Sequence, residues 1–415
     1  ITIAISTFTI IPVYLLCKKF VSTPYSIIGA AIFAFEPRVI QNSVLGLTDP
    51  LYIMLVTIAL VLFLSENRKF TYVAFSVIAL ASLVRAEGLF LFVALSIVFF
   101  IRNGKTRKVI PRYAIALAFF LLIILPVAAL RIQTTGNDEL SGRIPSEVNR
   151  ALAFSSDNGK SNLVLFAIHA FENFFKFLGW SMIPIFIFFI PVGIILIFKD
   201  RDYKKITIIT TIIVMFVPIL YALSTALDTR YFLPLYPLFC VLSVYAIKKY
   251  HTKLGNRKIF SIILIGGILL SSSLFLDYKK IDIEHEKEAW SLAYQVANRT
   301  DVINSYYPES GYLVITTMTQ LDHFPSLHSQ FKGEPVKQVN IQANNIVEYI
   351  KQGKEMGLTH LVLDGTDNIQ NRPLFFKDVF LHEEKYPYLI KIYDSSDQGY
   401  KYHLKIFKID YNKFG

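Results

Sequence analysis

Phe35-Glu36-Pro37-Arg38-Val39-Ile40-Gln41-Asn42-Ser43-Val44-Leu45-Gly46-Leu47-Thr48-Asp49-Pro50 is a short polar stretch between two apolar runs. Each flanking run reads as a membrane-spanning helix, so a glutamate, an arginine and an aspartate stand at one face of a bilayer. Ionised groups at that depth are costly and mark a functional site. The rest of the chain has the same character. Its 415 residues are 53% hydrophobic with mean hydropathy +0.46, and the apolar residues come in long runs rather than alternating with charge. A polytopic membrane protein is the class that fits. The net charge of +11 does not point to nucleic acid, because many of the lysines and arginines sit in short loops between apolar runs instead of on a soluble face. Cys17 and Cys240 lie in or beside apolar runs and indicate neither a disulfide framework nor a zinc site. The chain starts at Ile1 inside an apolar run, without a signal-peptide n-region, which predicts that an N-terminal portion is missing.

Apolar runs at 1–17, 22–36, 50–64, 70–84, 88–101, 110–130, 180–198, 206–226, 231–247 and 259–276 predict about ten spans over residues 1–276. Several fall short of the ~20 residues that cross a bilayer, so their ends must be counted in or the membrane must thin locally. Alternate loops are basic: Lys18-Lys19, Arg68-Lys69, Arg102 to Arg112, Lys199 to Lys205, and Lys248 to Lys258. By the positive-inside bias these loops face the cytoplasm. The loops at 36–50, 85–88, 131–179 and 227–231, and everything after Leu276, then face outside. Within the long external loop, Asn162 to Phe177 is nearly apolar enough to be a span, but His169, Glu172 and Lys176 make it read as an interfacial amphipathic helix.

From Asp277 the composition turns soluble, and residues 277–415 are expected to form a small extracytoplasmic α/β domain. Helices are expected at Glu284 to Arg299 and at Asn344 to Met356, the latter stopped by Gly357. Strands are expected at Tyr312 to Thr317 and Leu361 to Leu363, with a closing hairpin from Tyr388–Tyr393 and Tyr402–Ile409 around DSSDQG. Asp364-Gly365 reads as a turn, and His323, His328 and Asp322 lack metal-ligand spacing.

Glu36, Arg38 and Asp49, then Arg85 and Glu87, then Asp228 and Arg230 all stand at membrane ends of outward loops. The sidedness came from the opposite, basic loops, so this convergence is independent of it. One outward polar cavity follows. Such a cavity suits chemistry on a lipid-linked phosphate. Carboxylates accept a proton or hold a divalent cation, and arginine grips phosphate bidentately. As an anomeric bond breaks, the leaving phosphate gains charge that arginine or a metal ion must offset.

Three runs carry a family likeness: Pro37-Arg38-Val39-Ile40-Gln41-Asn42-Ser43-Val44-Leu45-Gly46-Leu47-Thr48-Asp49-Pro50-Leu51; Leu83-Val84-Arg85-Ala86-Glu87-Gly88-Leu89; and Arg230-Tyr231-Phe232-Leu233-Pro234-Leu235-Tyr236-Pro237. Their order and shared side resemble the GT-C class of polytopic glycosyltransferases, in particular its protein O-mannosyltransferase and aminoarabinose transferase branch, over about residues 1–247. The resemblance implies transfer of a sugar from a polyprenyl or dolichyl phosphate donor, with inversion, on the non-cytoplasmic face of an integral multi-pass protein of a prokaryotic plasma membrane. Asp49 matches the family's aspartate before proline in the catalytic cavity, and Arg230, next to Tyr231, matches its donor-phosphate arginine. From their place at the same face, Glu36 is expected to join Asp49 as a catalytic residue and Arg85 and Arg38 to join Arg230 on the donor phosphate, with Glu87, Asp228 and Tyr231 in support. Where a divalent cation (Mg or Mn) takes part, Asp49 is the residue placed to hold it. The family keeps its principal catalytic acid in a first external loop that would precede Ile1. The partners implied are the lipid-phosphate-linked donor, membrane lipid and an acceptor that is protein, lipid or glycan.

Other readings compete. Asp49 before Pro50 also suits a helix N-cap with proline at the first helical position, Glu36 and Arg38 suit a simple ion pair, and Arg85 with Glu87 suits an interfacial pair. A transporter or flippase of lipid-linked sugars is the alternative function, but its usual midplane charges and repeat symmetry are missing from spans with apolar middles. A noncatalytic receptor built on the soluble domain does not require the acid-rich loops.

Overall fold

The computed structural model describes residues 1–104, 108–135, 163–199, 202–225, 229–253, 257–278, 287–288, 291, 302–305, 337–338, 341, 343–363, 374–400 and 403–414. It divides into two compact units, Ile1–Leu276 and Asp277–Gly415. The first is all helix: α1 Thr2–Lys18, α2 Thr23–Ala34, α3 Pro37–Val44, α4 Asp49–Phe63, α5 Arg68–Val84, α6 Gly88–Asn103, α7 Val109–Thr135, α8 Leu163–Met182, α9 Ile190–Phe198, α10 Tyr203–Thr225, α11 Tyr236–Lys253 and α12 Arg257–Tyr278. Among the described residues, four helical stretches are long and apolar enough to cross a membrane: Val109–Thr134, Tyr203–Leu223, Thr229–Lys253 and Ile259–Tyr278. Thr2–Lys18, Thr23–Ala34, Asp49–Phe63 and Gly88–Asn103 are apolar but shorter.

Two features depart from the sequence reading. The polar stretch 36–50 is not a plain loop. Glu36 is extended, Pro37 supplies the preset φ of a first helical position, and α3 follows, burying Arg38, Val39, Asn42 and Ser43. The apolar run 180–198 is not one span either. α8 continues to Met182, a cis Ile183–Pro184 bond and a 3₁₀ turn at Phe186–Phe188 interrupt the chain, and only Ile190–Phe198 resumes as α9. α8 also packs more deeply than an interfacial helix alone requires, since Phe174 meets the rings of Phe216 and Phe232.

The basic loops come together at one end of the bundle. Arg102 donates to the carbonyls of Phe63 (2.9 Å) and Ser65 (3.1 Å), closing the C-terminal end of α4, and lies 4.7 Å from the centre of the Tyr203 ring. Lys205 sits over Tyr245, which also meets Phe20, and Tyr25 hydrogen-bonds His251 at 2.9 Å. The segments after α1, α4, α6 and α11 and before α10 are thereby tied together. The loops bearing Glu36, Asp49, Arg85 and Glu87 follow from the other ends of these helices.

α9 and α11 approach so closely that a Cβ on Gly193 would lie 2.2 Å from the Leu242 carbonyl oxygen. Because the obstacle is backbone, Gly193→Ala is expected to force the helices apart at about 1–3 kcal/mol. It should lower the melting temperature in detergent. Gly179→Ala is the control, since its Cβ meets nothing within 4 Å and a mid-helix Gly→Ala change stabilises by about 0.5–1 kcal/mol.

The second unit carries a five-stranded sheet, β1 Val302–Ser305, β2 Lys337–Gln338, β3 His360–Leu363, β4 Leu389–Asp394 and β5 Lys405–Ile409, in the order β2-β1-β3-β5-β4. β1 is parallel to β2 and β3; β5 is antiparallel to β3 and β4. α13 Ile346–Glu355 and α14 Leu374–Leu381 contribute Ile350, Tyr349, Phe376 and Val379 to a core shared with Leu361 and Phe407. Asn345 caps α13 by accepting from the Glu348 amide at 2.8 Å, and Gly357 ends the turn at φ +78°. The expected hairpin is β4 and β5, turning through Ser395–Gln398 and Gly399. Residues Tyr312 to Thr317, Asp364-Gly365, Asp322, His323 and His328 lie outside the described residues, as does most of Glu284 to Arg299.

Candidate active site

Glu36 and Arg38 bracket the start of α3, and both are buried. Arg38 Nη1 lies 3.5 Å from Glu36 Oε1, and although the Arg38 guanidinium and backbone amide both face the carboxylate, neither closes a well-formed hydrogen bond to it. Burial pushes the carboxyl of this loop residue up to about 8, against the opposing pull of Arg38. Arg38 itself is engaged elsewhere. It donates to the Trp180 carbonyl at 2.6 Å and to the Ile183 carbonyl, with its guanidinium 4.5 Å from the Phe275 ring centre and 5.8 Å from that of Trp180. The expected donor-phosphate contact at Arg38 is thus, in this structure, a clamp on the end of α8.

A second group forms where α4 begins. Asp49 is the first residue of α4, with Thr48 as the cap and no capping hydrogen bond from its side chain, so the N-cap reading does not describe it. It is 1% exposed and paired with Arg85 Nη1. Arg85 also donates from Nε (3.2 Å) and Nη2 (2.8 Å) to one oxygen of Glu87. Its guanidinium stands 5.9 Å from the Tyr52 ring centre and 5.8 Å from that of Tyr231. The Tyr52 hydroxyl is buried without a hydrogen-bond partner. Burial works against the charge on Arg85, but the bond to Glu87 and the charges of Glu87 and Asp49 outweigh it and hold the guanidinium firmly protonated.

One segment links the two groups. Residues Thr229–Leu235 form a 3₁₀ helix leading into α11. Tyr231 faces Arg85, while Tyr236, five positions on, is an electrostatic neighbour of Glu36 and Arg38 and donates to the Ser181 carbonyl at 3.0 Å. Arg230, beside Tyr231, is exposed. Asp228 lies outside the described residues. Tyr52, Tyr236 and Trp180 were not singled out from the sequence. Asp49 and Tyr52 stand one helical turn apart, a spacing from which Tyr52 can be found, and Tyr236 lies within the Arg230–Pro237 run quoted above.

The arrangement offers a buried carboxylate lacking hydrogen bonds and a second carboxylate locked by arginine. Asp49 pairs with Arg85. Among the described residues no group of three or more His, Cys, Asp or Glu side chains is placed to hold a metal ion, so no chemical step is assigned to one.

A family model for predicted membrane proteins, DUF2079, matches residues 1–305. The chain belongs to that family. No curated protein matches it. Among solved structures, ArnT from Cupriavidus metallidurans bound to undecaprenyl phosphate aligns with TM-score 0.56 at 10% identity, covering 98% of this chain and 83% of that one. The Archaeoglobus fulgidus oligosaccharyltransferase in complex with Zn and sulfate aligns with TM-score 0.51 at 15% identity, covering 87% of this chain but 55% of that one. At these identities the likeness is one of fold. This member of the DUF2079 family has a GT-C-like polytopic helical fold followed by a C-terminal α/β unit.

Proposed function

We propose that this protein is a membrane glycosyltransferase that moves a sugar from a polyprenyl-phosphate donor to a hydroxyl-bearing acceptor. The observation that carries the reading is Glu36, a fully buried carboxylate with two unsatisfied oxygens, beside Tyr236 on the same chain segment whose Tyr231 faces the Arg85 of the Asp49–Arg85–Glu87 group. The GT-C-like fold supports it. In the reaction the acceptor oxygen attacks the anomeric carbon and the bond to the phosphate oxygen breaks, leaving its electron pair on the phosphate. The acceptor proton passes to Glu36, and the exposed Arg230 guanidinium offsets the new phosphate charge. Asp49, paired with Arg85, orients the acceptor or the sugar. The site end of the bundle faces the non-cytoplasmic side, opposite the basic loops, and the C-terminal unit lies outside with it.

The test uses the full-length protein in liposomes with a panel of polyprenyl-monophosphate sugars, following release of polyprenyl phosphate and formation of a glycosidic bond. Turnover of at least one donor is expected. Movement of intact donor across the bilayer without a new glycosidic bond would replace this reading with transport.

A further inference from the structure

The end of α8 is held by two side chains that both neighbour Glu36. Arg38 donates to the carbonyls of Trp180 and Ile183, and Tyr236 donates to the Ser181 carbonyl between them at 3.0 Å. A helix C-terminus leaves its last carbonyls without intrahelical partners, and a guanidinium also suits the negative end of the helix dipole. Arg38 rests in addition on the Phe275 ring of α12, 4.5 Å from its centre. Glu36 gains no hydrogen bond from this arrangement, although Arg38 Nη1 stands 3.5 Å from its Oε1. The donors nearest the buried carboxyl are committed to α8 instead.

That division of donors fits a neutral Glu36. An ionised carboxylate competes for the same groups, and hydrogen bonds to a full charge are roughly twice as strong as those to a carbonyl. They form at about 2.7–2.9 Å, so a shift of less than about 1 Å carries Arg38 from the α8 carbonyls onto Glu36. The carbonyls it leaves are not stranded. Trp180 keeps the Ile183 amide as a partner at 3.3 Å, and at 42% exposure it lets water reach this end of the helix. We infer that Arg38 is a proton-operated latch, which docks the end of α8 while Glu36 is protonated and lets it go when Glu36 ionises. Three charged or titratable groups face Glu36: Arg38 from α3, and Tyr236 and Cys240 from α11. α8 and α12 face Arg38 with Trp180, Ile183 and Phe275, none of which titrates. Burial raises the Glu36 carboxyl to about 8, so α8 is docked below that pH and released above it. In the proposed transfer Glu36 takes up the acceptor's proton, and the same step would return Arg38 to α8. That consequence rests on the proposed function; the latch itself does not.

Trp180 reports on the latch directly, because its ring centre is 5.8 Å from the Arg38 guanidinium. The sequence has two tryptophans, so Trp290→Phe leaves Trp180 as the sole indole. The full chain carrying Trp290→Phe, in phosphatidylcholine nanodiscs without any donor, is quenched with the neutral quencher acrylamide from pH 6 to 9.5. The quenching constant is expected to rise about twofold or more, through a one-proton transition with its midpoint near 8. Glu36→Gln should hold the low-pH constant throughout, and Arg38→Met should give the high-pH constant throughout. Gln matches Glu in shape, so the Glu36→Gln arm decides the matter even where Arg38→Met does not fold. A flat wild-type profile would overturn the inference. So would a rise that survives Glu36→Gln, which would assign the titration to another group such as Cys240, or a wild-type profile from folded Arg38→Met protein. A Glu36-dependent rise in a protein that transfers no sugar would keep the latch and remove the proposed function; transfer with a flat profile would do the reverse.

Discussion

Glu36→Gln is expected to lower sugar transfer by about 10²–10⁴-fold, the usual contribution of a positioned general base, while raising stability at alkaline pH. The two effects have one cause. Burial raises the folded-state carboxyl to about 8, against an ordinary value of 4.5. Between those values the folded protein holds a proton that the unfolded chain has released, so stability falls as pH rises through this window and levels off above about 8. Gln has the same shape without the charge and should flatten that slope. Transfer runs the other way with pH. A base must be deprotonated to accept the acceptor's proton, so wild-type turnover should climb towards pH 8 and then plateau. Melting curves and single-turnover rates from pH 6 to 9 read both. If Glu36→Gln keeps wild-type turnover across that range, Glu36 is a structural acid and the base lies elsewhere.

That the basic loops gather at one end of the bundle was legible because the bias repeats in alternate loops, and Arg102, Lys205 and His251 meet partners from neighbouring segments there. The helices of the first unit were legible for the same reason, since long apolar runs need no partner to be recognised. What escaped were features fixed by distant contacts. α3 looks like a polar loop because four of its buried residues are Pro37, Arg38, Asn42 and Ser43, whose burial depends on neighbours that composition does not show. The break at 183–189 sits in an apolar run without periodicity. Arg38 was expected to face a phosphate; its partners lie 142 and 145 positions away, beyond any local pattern. Asp49 with Arg85 was foreseen only as membership of one cavity. Their direct pairing, with Glu87 as the third member, needed three helix ends in register.

That pairing sets the second large expectation. Asp49, Arg85 and Glu87 expose 2%, 20% and 24% of their side chains, so solvent screens them little. Arg85→Ala would leave two carboxylates without their shared cation, and breaking such a buried pair costs about 3–5 kcal/mol. Thermal unfolding should register it as a large loss, greater than that of Asp49→Asn, which leaves Arg85 bonded to Glu87. A stability loss alone does not separate structure from function, because a protein that unfolds also stops working. The triple variant Asp49→Asn, Arg85→Met, Glu87→Gln does separate them. It replaces the ionic group by neutral residues of similar volume, and such swaps are commonly neutral or stabilising. If the group only supports the fold, the triple variant regains both melting temperature and transfer. If Asp49 orients substrate through its charge, stability returns while transfer stays down by at least tenfold, and that second outcome is the one expected.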